Sequence, residues 1–240
     1  MLKGLQPNQV KKYSKSELNV LCDEIRSTIF ETVTRCGGHL ASNLGAVEST
    51  VALFYTFDFP KDKIVFDVGH QCYAHKLLSG RKDEFSSIRT DGGLSGFPDR
   101  EESEYDPFGA GHSSTSVSAA LGFARADRIA GAERYTVAVV GDGAYTGGMI
   151  HEALNNCRRD LNLIVVLNDN EMSISHSTGM FARHFSRIRI HQFLHRIEEY
   201  LLAIVQFARY HLQLKLISLN FPSLIPPIFT LIIFFTSIIL

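Results

Sequence analysis

The sequence predicts an α/β domain in which helices flank a parallel β-sheet. Three runs of consecutive apolar residues have the composition of strands that are buried on both faces: KIVFDV at 63–68, YTVAVV at 135–140 and LIVVL at 163–167. Helical segments separate these runs, and such alternation is typical of a parallel sheet. Ligands bind such sheets at the carboxyl ends of the strands, where the polar motifs of this chain lie.

Apolar spacing and terminal residues predict the helices. The first helix, Ser16–Thr34, has apolar residues at spacings of three and four, with Ser16 as its N-cap and Gly37 and Gly38 after its end. Further helices are predicted at 45–57, 71–78, 113–129 and 147–157. Residues 86–111 are glycine-rich and show no periodicity, and a loop of that length inside a compact domain is usually functional.

Charge and cysteine content narrow the class of protein. The chain has 24 basic and 25 acidic residues, so it lacks the basic excess of a nucleic-acid-binding protein. Its four cysteines form no CxxC pair, and no secretory signal opens the sequence. These observations predict reduced thiols in a cytoplasmic protein.

Two polar motifs follow neighbouring predicted strands. Asp142 lies in VAVVGDGAYTGG, directly after one strand, and Asn170 ends LIVVLNDN after the next. A single crossover helix separates them, so a carboxylate and an amide oxygen are expected at one place, and Mg²⁺ prefers such ligands together with phosphate oxygens. Gly141 and Gly143 would let the backbone approach a diphosphate. The GDG triplet alone is also typical of a tight turn, and GDGAYTGG does not fit a dinucleotide-binding GxGxxG motif.

Two further features suggest an anion site. The segment GAGHSSTS at 109–116 opens a predicted helix, whose free N–H groups suit an anion, although a plain Ser/Thr capping cluster has the same composition. His39, His70 and His112 lie in loops beside glycines, at the ends of predicted elements. A lone loop histidine is usually solvated. Three such histidines in one α/β unit favour a shared cleft. Imidazoles in such a cleft can hold phosphates or move protons near neutral pH.

At this point the sequence resembles the 1-deoxy-D-xylulose-5-phosphate synthase family over about residues 4–190. The resemblance rests on GGHLASNLGAVE, FDVGHQCYAHKLLSGR, GHSSTSVSAALG, GDGAYTGGMIHEALNN and LIVVLNDNEMSIS. It implies a thiamine-diphosphate-binding fold and a transferase that condenses pyruvate with glyceraldehyde 3-phosphate and releases carbon dioxide. The product feeds isoprenoid, thiamine and pyridoxal synthesis, and the full-length family is expected to form homodimers.

The resemblance also implies a role for individual residues. Asp142, Asn170 and the backbone carbonyl of Met172 would bind Mg²⁺, and His39 would transfer a proton or orient substrate. The residues that would line the diphosphate and thiazolium side of thiamine diphosphate are His70, Gly111, His112, Ser113, Gly143, Ala144 and Asn170. The carbanion chemistry belongs to the cofactor, while the protein supplies position and electrostatics.

The composition changes near residue 180. No glycine follows Gly179 and no aspartate follows Asp169. We therefore expect a thiamine-diphosphate domain at 1–180 and a divergent tail at 181–240, which is helical or apolar and frameshifted or disordered. A frameshift or early stop, a membrane anchor and a dimerisation segment are the alternatives for this tail. HQFLH at 191–195 has metal-like spacing but fits an exposed helix face better.

Three functional alternatives follow from this organisation. The favoured one is a truncated synthase-like protein that binds cofactor but turns over little substrate. In the family, a second α/β domain supplies the glutamate that activates the cofactor. The others are one subunit of a split transketolase-like enzyme and a non-catalytic cofactor-binding fragment. Membrane contact by the tail is a further, less favoured expectation.

Overall fold

The computed structural model of this chain describes residues 1–158, 160–169, 180 and 231–235. The chain divides into two compact units, one formed by Met1–Met172 with Phe229–Leu240 and the other by Ser173–Ile228. The strands and helices below belong to the first unit. The predicted boundary between residues 180 and 181 stays a prediction.

A four-stranded parallel sheet organises the first unit, with its strands in the order β1-β2-β3-β4. The strands are β1 (Lys63–Phe66), β2 (Thr136–Gly141), β3 (Leu163–Asp169) and β4 (Leu231–Phe235). The predicted parallel sheet is thereby confirmed for the three strands that the apolar runs indicated. Helices flank it, as predicted.

The helices largely follow the predicted segments but differ at their ends. They are α1 (Lys15–Cys36), α2 (Leu40–Leu44), α3 (Val47–Thr56), α4 (Tyr73–Leu78), α5 (Ser116–Ile129), α6 (Asp142–Tyr145) and α7 (Gly148–Asn155), with 3-10 turns at Pro7–Lys12 and Phe85–Ser87. The N-cap of α1 is Ser14 and not Ser16. Its side chain accepts from the Glu17 N–H while the Glu17 carboxylate accepts from the Ser14 N–H, a reciprocal pair that satisfies two backbone donors.

The core lies between the sheet and helices α1, α3 and α4. Leu21, Ile25 and Ile29 recur every four residues along α1 and are fully buried, so they form the inward stripe of that helix. All of β2 from Thr136 to Val140 is buried. A strand buried on both faces explains its continuous apolar sequence.

Strand β1 ends earlier than predicted, at Phe66 instead of Val68. Val68 and Gly69 both have positive φ, 59° and 84°, so the backbone turns sharply there. A non-glycine residue in this region costs about 1 to 2 kcal/mol, which surrounding packing must outweigh. A side chain at Gly69 would overlap Pro98. The turn therefore brings the segment after β1 against the long loop.

Little of the tail is described. Met180, the residue before the tail, is helical. Within the tail, Leu231–Phe235 forms β4 next to β3, where the sequence favoured a helical or an apolar segment. The HQFLH motif with His191 and His195 lies outside the described residues. No helix in the described ranges combines the length and apolarity needed to cross a bilayer.

Candidate active site

The register of the sheet places the GDG motif beside the NDN motif. Gly141, the last residue of β2, pairs with Asn168 of β3, and Asp142 follows as the first residue of α6. Its Oδ1 accepts the Gly143 N–H at 2.9 Å. The predicted ligands Asn170 and Met172 lie outside the described residues. Of the predicted metal ligands, the structure thus locates Asp142, at the expected edge of the sheet.

In the part of the chain that the structure describes, acidic, histidine and cysteine side chains do not by themselves assemble a metal site. No group of three or more such side chains suited to a metal ion occurs among residues 1–158 and 160–169. The predicted ligand set is of a different type, in which one carboxylate is joined by amide and backbone oxygens and by the phosphates of a ligand.

The three predicted histidines lie together. The rings of His39 and His70 are 5.3 Å apart and edge-on, and those of His70 and His112 are 6.3 Å apart and nearly parallel. Phe97, from the long glycine-rich loop, contacts both outer rings at 6.2 and 6.3 Å. Three loops that are distant in sequence therefore form one histidine cluster, defined by His39, His70 and His112.

Two of these histidines are held in the neutral form. Burial, together with the neighbouring His39 and His112, lowers the pKa of His70 to about 4. Burial, Arg89 and His112 also lower the pKa of His39. The Nδ1 atoms of both rings are buried and have no hydrogen-bond partner in the part of the chain that the structure describes. Buried polar atoms are normally paired, so these two nitrogens are suited to contact a ligand.

Asn43 joins the loops that carry His39 and His70. Its Nδ2 donates to the carbonyl oxygens of His39 at 2.6 Å and His70 at 2.7 Å. Its Oδ1 accepts the Tyr73 N–H at 2.9 Å, at the start of α4. This residue was not predicted from the sequence. The available signal was an asparagine inside the short apolar stretch between two glycine-flanked histidine loops.

The GHSSTS segment differs from its prediction at the helix start. Helix α5 begins at Ser116 and not at Ser113, and its first N–H is already bound by a carboxylate. Asp67 Oδ2 accepts from the Ser116 N–H at 3.1 Å and from its hydroxyl at 2.5 Å. The Ser113 N–H donates to the Gly111 carbonyl at 2.9 Å. The predicted anion-binding residues therefore lie on the exposed loop before the helix.

Two contacts tie this loop and the histidine cluster to the strand ends. The hydroxyl of Ser114 donates to the Ala144 carbonyl at 2.9 Å, which links the GHSSTS segment to the GDGA turn. Asn168 Nδ2 contacts Gln71 Oε1 at 3.4 Å, which links the NDN strand end to the residue after His70. Gln71 is a second residue that the sequence analysis missed.

A buried cluster of charges holds the long loop against α4. The Asp106 carboxylate accepts from His75 Nε2 at 2.7 Å and from both terminal nitrogens of Arg81 at 2.6 and 2.9 Å. Lys76, whose side chain is fully buried, pairs with Glu102. Burial alone would raise the pKa of Asp106, but the hydrogen bonds from His75 and Arg81 and the charge of Arg81 hold it below its usual range.

The same loop borders an open cavity of about 620 Å³. The cavity is lined by Pro98, Asp99, Arg100, Glu101, Phe108 and Gly109. The charge cluster thus fixes a segment that runs from Phe97, beside the histidine cluster, past this cavity to the loop before α5.

Several known proteins are similar to this chain in sequence. The sequence profile of the 1-deoxy-D-xylulose-5-phosphate synthase family matches residues 3–230. A 1-deoxy-D-xylulose-5-phosphate synthase from Cupriavidus metallidurans is 53% identical over 189 residues, which cover 78% of this chain and 30% of that protein. One from Thermomicrobium roseum is 57% identical over 185 residues, 76% of this chain and 29% of that protein.

Solved structures show the same fold at lower sequence identity. A transketolase from Campylobacter jejuni has a TM-score of 0.61 at 20% identity over 70% of this chain and 30% of that one. A transketolase from Leishmania mexicana has a TM-score of 0.55 at the same identity and coverage.

The matched part of the chain spans about 30% of the length of these curated relatives. The chain belongs to the 1-deoxy-D-xylulose-5-phosphate synthase family.

Proposed function

We propose that this chain forms the diphosphate- and magnesium-binding part of a thiamine-diphosphate-dependent 1-deoxy-D-xylulose-5-phosphate synthase. The reaction is the decarboxylating condensation of pyruvate with glyceraldehyde 3-phosphate. One observation carries the proposal: the GDG turn, the NDN strand end and the histidine cluster all lie at the carboxyl edge of one parallel sheet. That edge is where ligands bind in such folds.

The residues at this edge suit a magnesium diphosphate. Asp142 offers a carboxylate, and Asn170 with the Met172 carbonyl would add the neutral oxygens that Mg²⁺ accepts. An added Cβ at Gly111 or Gly141 would meet no atom within 4 Å, so open space borders the backbone there. Gly143 and Ala144, at the start of α6, would approach the same diphosphate.

The histidine cluster suits the reacting side of the cofactor. When bound, thiamine diphosphate supplies the carbanion that forms the new carbon–carbon bond. His70, His112 and Ser113 would line its diphosphate and thiazolium side. His39, held neutral by burial, would accept or donate a proton near the reacting carbons.

Turnover depends on more than this part of the site. By family resemblance, a second α/β domain provides the glutamate that activates the cofactor, and the assembled enzyme is a homodimer. An activity assay therefore has to supply that domain, whereas a binding assay does not. We further propose a cytoplasmic location, since all four cysteines are free thiols.

Thermal unfolding of the 240-residue chain tests the proposal. Thiamine diphosphate with Mg²⁺ at 100 times its Kd should stabilise the fold by about 2.7 kcal/mol and raise Tm by about 5 to 10 °C. EDTA should remove the increase, and so should Asp142→Ala. Asp91→Ala, at an exposed loop position, is the matched control and should keep it.

Two results would contradict the proposal. If millimolar cofactor with Mg²⁺ leaves Tm unchanged, the chain does not bind it as proposed. If Asp142→Ala responds as strongly as Asp91→Ala, Asp142 is not a metal ligand.

A further inference from the structure

We propose that Asn43 is a positioning residue that sets the spacing of His39 and His70 by holding the backbone carbonyl oxygens of both. The inference deepens the proposed function, because it assigns the support of the histidine cluster on which that function rests. It concerns a side chain that lies behind the two imidazoles and has no exposed surface.

The orientation of the Asn43 amide follows from its neighbours. Nδ2 has two hydrogens, and each faces a carbonyl oxygen, that of His39 and that of His70. Oδ1 faces the Tyr73 N–H. Rotating the amide by 180° would place an NH₂ group against an N–H donor and an oxygen against two carbonyl oxygens. The amide therefore fits in one orientation, and its three polar contacts fix three backbone segments.

The contact with Tyr73 also fixes the position of the start of α4. Tyr73 is the first residue of that helix, and its N-cap, Cys72, provides no side-chain cap. Asn43 supplies the missing acceptor from a different element. Asn43 thereby holds the loop that carries His70 at two points, the His70 carbonyl and the start of α4. It holds the His39 loop at the carbonyl of His39, which lies four residues before Asn43 in the sequence.

The two imidazoles depend on this backbone support. Their Nδ1 atoms have no hydrogen-bond partner within the described ranges, so ring packing with Phe97 and His112 is their other restraint. At the present spacing, burial and the neighbouring imidazoles disfavour charge on His70. The charged and titratable groups that act on the pair are His112 and Arg89. If the two loops moved apart, the packing between the rings would weaken and water could reach them.

NMR of the full chain with labelled imidazoles tests this inference. Of its ten histidines, His39 and His70 can be assigned from single His→Gln variants. In the unsubstituted chain, His70 should titrate near its pKa of about 4, and an NOE should connect its ring to that of His39 across 5.3 Å. In Asn43→Ala, the His70 midpoint should rise toward its ordinary value of about 6.5, and the NOE should disappear.

A matched control separates positioning from a general loss of stability. Asp62 is also buried and also bridges two segments, accepting the N–H groups of Asp58 and Tyr135 at 2.8 Å each. It lies at the amino end of β1, away from the histidines. Asp62→Ala should therefore destabilise the fold but leave the His70 midpoint and the ring NOE unchanged.

A second variant covers the case in which Asn43→Ala does not fold. Asn43→Asp keeps the volume and the acceptor for Tyr73 but turns an oxygen toward the carbonyl oxygens of His39 and His70. It should also lose the ring NOE. A ring NOE preserved in either variant, or lost equally in Asp62→Ala, would overturn the inference.

The cofactor response distinguishes this inference from the proposed function. If the unsubstituted chain shows no Tm increase with thiamine diphosphate and Mg²⁺, the proposed function fails, yet the histidine measurements still decide the role of Asn43. If the increase is present, Asn43→Ala should reduce it relative to Asp62→Ala. An equal increase in both variants would show that the spacing set by Asn43 has no role in cofactor binding.

Discussion

Replacing Asp106 with asparagine should destabilise the fold strongly, although the two side chains have nearly the same shape. The Asp106 side chain is fully buried, and its two oxygens accept four hydrogen bonds, from His75, from the two terminal nitrogens of Arg81 and from the Asp99 N–H. Arg81 contacts both oxygens. An NH₂ group at either position must therefore face a donor of the guanidinium.

The magnitude follows from the charge left behind. The guanidinium of Arg81 is only 7% exposed, and it would lose its fully buried counter-ion and keep only Glu102, which it shares with Lys76. Breaking a buried ion pair by removing one partner costs about 3 to 5 kcal/mol. Domains are stable by about 5 to 15 kcal/mol, so this is a large fraction of the total. The expected fall in Tm is about 6 to 20 °C, from about 2 to 4 °C per kcal/mol for a domain of this size.

The same substitution at an exposed ion pair is the control. Asp58 pairs with Lys11 at 2.5 Å, but its side chain is 68% exposed. Asp58→Asn should cost about 0 to 1 kcal/mol, as exposed pairs do. Urea unfolding of both variants at neutral pH gives the two free energies. If Asp106→Asn lies within about 1 kcal/mol of Asp58→Asn, the buried cluster does not hold the loop in the way described.

The dependence of stability on acid pH tests the same charge cluster. Because the pKa of Asp106 is lower in the fold than in the unfolded chain, its carboxylate stabilises the fold fully above the unfolded pKa of about 3.9. That stabilisation is lost as the pH falls further toward the folded pKa. The difference between the unsubstituted chain and Asp106→Asn should therefore shrink below about pH 4, and a difference that grows there would contradict the sign of this argument.

Two further outcomes are expected. Gly69→Ala should lower the free energy of unfolding in urea by about 1 to 3 kcal/mol more than Gly80→Ala. Both glycines have positive φ, but only at Gly69 would the new methyl group overlap Pro98. Equal losses of stability would exclude the overlap as the cause. Burial lowers the pKa of His70 and of His75, so below about pH 6.5 the unfolded chain binds more protons than the folded chain. The free energy of unfolding should therefore decline as the pH falls from there toward about 4. A urea midpoint that is no lower at about pH 5 than at about pH 7.5 would be inconsistent with neutral buried histidines.

Local patterns predicted the sheet well because its strands are buried on both faces. Apolar runs of that kind are compatible with few other structures when glycines flank them. The patterns were weaker where a tertiary contact ends an element. Strand β1 stops before Val68 because the next residues turn against Pro98, and α6 was missed because four helical residues inside a glycine-rich motif have no periodicity of their own.

The candidate site divides in the same way. His39, His70 and His112 were predicted to share a cleft because each lies next to glycine at the end of an element, and the structure brings them together. Asn43 and Gln71 were missed because their partners lie 27 to 97 residues away in sequence. A buried amide that bridges two distant backbone segments has no local sequence signature, and its role is visible only after the segments are in place.

The buried charges were missed for a related reason. Lys76, Arg81, Glu102 and Asp106 resemble ordinary solvated charges, and most such residues are exposed. Their burial follows from the return of the long loop over α4, which no spacing in the sequence specifies. The candidate site residues at the sheet edge could thus be predicted from the sequence, but the buried side chains that hold their loops could not.

The register between β2 and β3 determines where the length of this chain can vary. An extra residue in the surface turn around Asp160 would lengthen that turn and leave Gly141 opposite Asn168. An extra residue within β3 would turn every following side chain to the other face of the sheet. The side chain of Asn168 would then leave the face on which it contacts Gln71. Natural insertions in relatives that keep the site are therefore expected in the turn and not in the strand.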